Sequence, residues 1–141
     1  MSDMWVIPNE GKGKILDEVF RLTTTRESFL LKQFQNNHTV VDGSTLADFA
    51  IATYTGYADV AIARGDFSAA TSPSNIGQIV RSTNPVFTCS GGSAQTIYGL
   101  LLVGATSGLI YAGVNYGTPI SMTPSATDTI NPLEIQDKTF V

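Results

Sequence analysis

The chain has 141 residues and a net charge of −4, and 14% of its residues are charged, against about 25% in an average soluble domain. That length suits one domain able to bury roughly two thirds of its unfolded surface, so no disulfide or metal staple is needed. The acidic balance argues against a backbone-phosphate grip on DNA or RNA, and the single cysteine, Cys89, excludes an internal disulfide and a multi-cysteine metal site.

In chain order, the first element is an apolar opening, "MWVIP", within an N-terminal arm over residues 1–12. A tryptophan in a free tail is costly exposed surface, so this arm is expected to dock, with Trp5, Val6 and Ile7 as candidate contacts to a neighbouring subunit. The spacing of Ile15, Leu16, Val19, Phe20 and Leu22 predicts a helix over 13–23, with those residues inward and Asp17, Glu18 and Arg21 outward. The run "TTRESFLLKQFQNN" has two readings. Thr24 and Glu27 have capping-box spacing for a helix, whereas Phe29 to Phe34 also suits a short apolar strand ending in an Asn-Asn turn.

From Thr39 onward the pattern is β. "ADVAIA" alternates, with Ala58, Val60 and Ile62 on one face. "NIGQIVRS" and "NPVFTCS" are short and bounded by turn residues. "QTIYGLLLV" and "GLIYAGVNY" form a hairpin through the "GATSG" turn, and "TPISMT" and "DTINPLEIQ" follow as further strands. Turn signals about every ten residues predict a single antiparallel β-sandwich, jelly-roll-like, with one short N-terminal helix and a C-terminal tail over 132–141. Phe140 and Val141 in that tail are further candidate interface residues.

No Lys, Arg, Asp or Glu lies between Arg81 and Asp128. A membrane reading of this stretch fails, because Gly104 to Gly108 break it into halves too short to span a bilayer as helices. No signal peptide is evident at the start, so synthesis in a cytoplasm is expected.

Catalytic patterns are sparse. His38 sits in a turn sequence, "QNNHTVVDG", and no serine has a nucleophile-elbow context. "GKGK" at 11–14 lacks the spacing of a phosphate loop. The acidic residues Asp42, Asp48, Asp59, Asp66, Asp128 and Glu134 are scattered, and Cys89 reads as a small buried strand residue. No enzyme activity, cofactor or metal site is expected. Tyr54, Tyr57, Tyr98, Tyr111 and Tyr116 offer an alternative, a sugar-stacking platform, although half-buried strand tyrosines are the commoner use. Arg64-Gly65-Asp66 is the tripeptide that adhesion ligands show to integrins. A tripeptide of this kind arises by chance in roughly a few per cent of chains this long, and here it reads as a turn at the end of a strand.

"LKQFQNN", "TLADFAIATYTGYADVAIARGDF" and "QTIYGLLLVGATSGLIYAG" together resemble a group of small structural proteins of tailed phages, over about residues 13 to 115. The late hairpin departs from the group's Trp-Ala-Glu, reading Tyr111-Ala112-Gly113. The resemblance favours the strand reading of "SFLLKQFQ". It also implies a capsid decoration (cement) protein on the outer surface of the virion, made in the host bacterial cytoplasm. Its partners would be the major capsid protein and one or two further copies of itself, in a dimer or trimer, with no nucleic acid and no membrane. The alternative role is a tail- or fibre-associated module binding host glycan.

Overall fold

The computed structural model describes residues 5–21, 26–69, 77–80, 83–130 and 133–137. It is mainly β, with antiparallel sheets and one short helix. Helix α1 (Asn9–Leu16) runs directly into a π-helical turn, Asp17–Arg21. The strands follow as β1 (Phe29–Phe34), β2 (Val60–Ile62), β3 (Gly77–Val80), β4 (Val86–Thr88), β5 (Gln95–Gly104), β6 (Ile110–Met122), β7 (Thr127–Thr129) and β8 (Glu134–Asp137). A four-stranded sheet has the order β2-β1-β5-β6, and β3-β8 and β4-β7 form two-stranded ribbons.

The centre of the sheet is β5, whose run Leu100-Leu101-Leu102-Val103 is buried throughout. A strand covered on both faces has no need of polar alternation. Leu100 and Leu102 join the larger core with Leu31, Phe87, Ile130 and Leu133. Leu101 and Val103 join a smaller one with Phe34, Val40 and Phe49. The ribbons therefore contribute to the first core, and the 35–52 connection closes the second. The β5–β6 hairpin forms at the expected turn, where the Gly108 amide donates to Gly104 O at 3.0 Å. Gly108 has φ +71°, a conformation that side chains disfavour. β1 is a strand, paired with both β2 and β5. "TPISMT" is not a separate strand, because β6 continues through it to Met122.

The N-terminal segment is not an outward arm. Trp5 is 2% exposed and Ile7 7% exposed, both inside the larger core. Val6 exchanges two backbone hydrogen bonds with Gly113, at 2.7 and 2.9 Å. The segment thus lies along the edge of β6, and Glu10 accepts the Ile110 amide at 2.7 Å. This protects part of an edge strand that would otherwise template pairing with another chain. Gly11 permits the close approach, since a Cβ there would collide with the Ile110 and Tyr111 carbonyl oxygens. The expected contact residues Trp5 and Ile7 are thus internal, Val6 is half-buried against Gly113, and Phe140 and Val141 lie outside the described residues.

The helix also differs from expectation. It starts at Asn9, four residues early, and only part of its expected facing holds: Ile15 is half-buried against the larger core and Arg21 is exposed, whereas Leu22 lies outside the described residues. Leu16, Val19 and Phe20 are 48%, 55% and 78% exposed, while Glu18 is 3% exposed. Glu18 lies about two turns after the buried Gly11 and so shares its inward side, where polar partners meet it.

Replacing Trp5 with Ala should destabilise the fold by about 3–5 kcal/mol in urea unfolding, the usual cost of emptying a buried aromatic site. Removal of residues 1–8 should abolish the cooperative transition. A truncated chain with unchanged stability would show that this segment is dispensable.

Candidate functional site

The site lies where α1, β1, the end of β2 and β6 meet. Two backbone irregularities converge there. Glu18, within the π turn, faces inward. On β6, Leu102 pairs with Ala112 and Val103 with Ile110, which leaves Tyr111 as the extra residue of a bulge. Bulges re-aim side chains, and this one puts Tyr111 and Ala112 into the same core. The Tyr111 hydroxyl donates to Glu18 Oε1 at 2.6 Å.

Arg64 completes the arrangement. One terminal amine donates to Glu18 Oε2 at 2.7 Å, and Nε donates to the Glu27 carbonyl at 2.6 Å. The guanidinium lies 4.7 Å from the Phe29 ring centre and 5.8 Å from that of Tyr111, within cation–π range. Phe29 in turn meets Tyr111 edge-on at 4.9 Å and Phe67 at 6.3 Å. The Arg64–Gly65–Asp66 segment is a 3-10 turn closed by Asp66, whose Oδ2 accepts the Ala63 amide at 3.1 Å. The turn reading of the tripeptide agrees with this geometry. Its arginine points inward, so an integrin would meet no free guanidinium here.

Beside these groups is a cavity of about 430 Å³, walled by Ile7, Ile15, Phe29, Phe67, Leu102 and Ile135. Val19 and Arg26 also border it. Its size falls in the range of ligand and side-chain pockets. Its walls are apolar, and its charged groups differ in status. Glu18 and Arg64 are bonded to each other, whereas exposed Arg26 has no hydrogen bond or ion pair with another described residue.

Glu27 anchors the neighbouring hairpin. Its Oε1 accepts the Thr106 and Ser107 amides at 3.0 and 2.9 Å and the Ser107 hydroxyl at 3.1 Å. Lys14 Nζ is 3.6 Å from Oε2. Burial pushes this carboxyl up, but the Ser107 and Thr106 bonds and the Lys14 charge outweigh it, and the pKa falls below the ordinary 4.5.

The other sequence candidates are placed elsewhere. A second polar network surrounds the buried Gln33. Its Oε1 accepts the Tyr54 hydroxyl at 2.6 Å, and its Nε2 donates to Asp128 at 2.8 Å. Asp128 also accepts the Tyr116 hydroxyl at 2.6 Å, and Tyr57 donates to Asp59 at 2.8 Å. Burial, reinforced by Asp128 and Cys89, pushes the Tyr54 hydroxyl up to about 12. Burial and adjacent carboxylates likewise raise Tyr57, Tyr111 and Tyr116. These hydroxyls remain protonated donors, engaged within the chain. A stacking platform needs open ring faces, and Tyr54 and Tyr111 are buried. His38 packs edge-on against Phe49 at 4.9 Å, and no serine or carboxylate bonds its imidazole among the described residues. Cys89 is fully buried. Among the described residues, no cluster of His, Cys, Asp and Glu could hold a metal, and no helix is long and apolar enough to cross a membrane.

Sequence reasoning missed Glu18 and Arg26 as site residues, offered Tyr111 only as one of five sugar-stacking tyrosines, and gave Arg64 only a place at a strand end. No local signal marks them, since a turn residue, a helical glutamate and a strand tyrosine meet only through the fold.

Arg64→Ala should cost about 3 kcal/mol in chemical denaturation, because it leaves the Glu18 carboxylate buried beside only a tyrosine hydroxyl. Arg64→Ala combined with Glu18→Gln should recover part of that loss. For Glu27→Gln, a loss of about 1–3 kcal/mol is expected at neutral pH. A depressed folded-state pKa stabilises above 4.5, and that stability is lost as pH falls through the lower folded value. The parent and Glu27→Gln stability curves should therefore converge below pH 4.5. Parallel curves down to acid would exclude an ionised Glu27 as the anchor.

Comparison with known proteins finds no family model and no curated protein that matches this chain.

Proposed function

We propose that this chain is a non-enzymatic structural protein that docks onto a larger protein assembly, and that the assembly is the head of a tailed phage. In this reading it is a decoration protein on the outer capsid surface, bridging major capsid subunits as a dimer or trimer. The four-stranded sheet and the two ribbons are then the layers of a jelly-roll-like sandwich. The observation that carries the reading is the exposure of Leu16, Val19 and Phe20 beside an open apolar cavity. Adjacent large apolar side chains left outward mark a contact surface more often than a free one.

Two further points support it. The groups that do chemistry in enzymes, His38, Cys89 and the carboxylates around Gln33 and Arg64, are engaged in holding the fold. The segments resembling phage structural proteins include β1, β5 and the β5–β6 turn, which form the rigid centre of the molecule. A cement protein needs a rigid body and a face that recognises the assembled lattice. Binding the lattice but not free subunits stabilises the shell by mass action.

The test is co-sedimentation of the purified chain with phage heads lacking it, followed by heating of the heads. Saturable binding and a higher temperature of DNA release are expected. Absence of binding, with glycan-array signals that vanish on Tyr98→Ala, would replace this reading with the host-glycan alternative.

A further inference from the structure

We infer that the docking surface is the face formed by Leu16, Val19 and Phe20 together with the adjoining cavity, and that it takes a protein segment carrying an apolar side chain next to a carboxylate. The apolar group enters the cavity, and the carboxylate pairs with Arg26. The inference rests on the structural-protein reading and deepens it by naming the face and the chemistry of its partner.

The shape argument comes first. The cavity of about 430 Å³ exceeds the volume of a single aromatic side chain, and Val19 belongs both to its border and to the exposed helix face. A small ligand in the cavity would leave Leu16 and Phe20 in water. A protein segment crossing the π turn covers both. Phe20 and Arg26 are also the residue types that dominate binding energy at protein interfaces.

Charge supplies the second argument. Two arginines border the cavity. Arg64 is neutralised by Glu18, with its Nε on a backbone carbonyl. Arg26 has no such partner among the described residues, and its planar fork suits a carboxylate. A second copy of this chain is a poor source for that carboxylate. Every carboxylate whose side chain is described already bonds within its own chain. On these described carboxylates, the complementary acid is assigned to a different protein, and self-association is the outcome that would reassign it.

The experiment has two arms. In the first, N-acetyl-Asp-Phe-amide is titrated into the isotope-labelled full chain and followed by NMR. Shifts confined to residues 15–20, 26 and 29 are expected, with binding about fivefold weaker for N-acetyl-Asn-Phe-amide. Arg26→Gln should erase that preference. In the second, the chain and its Val19→Ser/Phe20→Ser variant are sedimented with phage heads. The variant should remain folded by circular dichroism, because both side chains are exposed, and lose about a hundredfold in head affinity. Equal binding of the two peptides, or unmoved resonances at these positions, overturns the inference. Undiminished head binding by the folded variant also overturns it and leaves the decoration reading standing. Peptide binding without head binding retains the surface and removes the phage head as its partner. Concentration-dependent self-association lost in the variant would make a second copy the occupant, against the inference.

Discussion

The ion pair between Arg64 and Glu18 holds together distant parts of the chain. It connects the π turn after α1 to the turn after β2, and through Tyr111 and Phe29 it reaches β6 and β1. Each charge is well supplied with hydrogen bonds. Glu18 accepts from a guanidinium and a phenol, and Arg64 also donates to a backbone carbonyl. That completeness matters for Glu18, because taking a carboxylate out of water costs several kcal/mol before its attraction to a partner is counted, while Arg64 keeps 35% of its side chain exposed. A leucine and methionine in the same space would hold the layers with similar strength. They would not fix the relative placement of helix, turn and bulge as narrowly, since apolar contacts tolerate sliding and a forked hydrogen-bond set does not.

The same pair bears on which helix side meets solvent. With buried Gly11 toward β6, a helix turning about 100° per residue places Glu18, seven residues on, on the same inward side and Phe20 on the opposite one. Glu18 thus meets Arg64 while Leu16, Val19 and Phe20 are exposed. Two large apolar side chains left in water forgo burial worth about 1.5–3 kcal/mol each, which a covering partner would restore under the proposed docking.

Much of the fold was legible in the sequence because its signals are local. The Gly104–Gly108 turn, the apolar run of β5 and the strands around proline and glycine need only neighbouring residues to be recognised. The choice of strand over helix for Phe29 to Phe34 was open locally and was decided by pairing on both sides, with β2 and β5. The helix face was misread because the count ranks valine and phenylalanine as inward and glutamate as outward. An arginine 46 residues downstream that receives the glutamate does not enter such a count. Trp5 and Ile7 were recognised as needing cover. The cover is the chain's own core, an outcome that composition cannot separate from a neighbouring subunit.

Edge protection follows the same logic of placement. β6 is an edge strand, yet its first half is occupied by Val6 and Glu10. Its second half contains Pro119 and a register shift in which Ile97 and Gly99 face Ile120 and Asn115, two residues on β5 against five on β6. A proline and a distorted ladder both oppose addition of another strand. An assembly built by strand addition along β6 is therefore disfavoured over most of its length. The contact is left to side chains, and the largest adjoining set of exposed apolar ones is on the π turn. Under the proposed docking, recognition would then fall to a helix face and a cavity rather than to a strand edge.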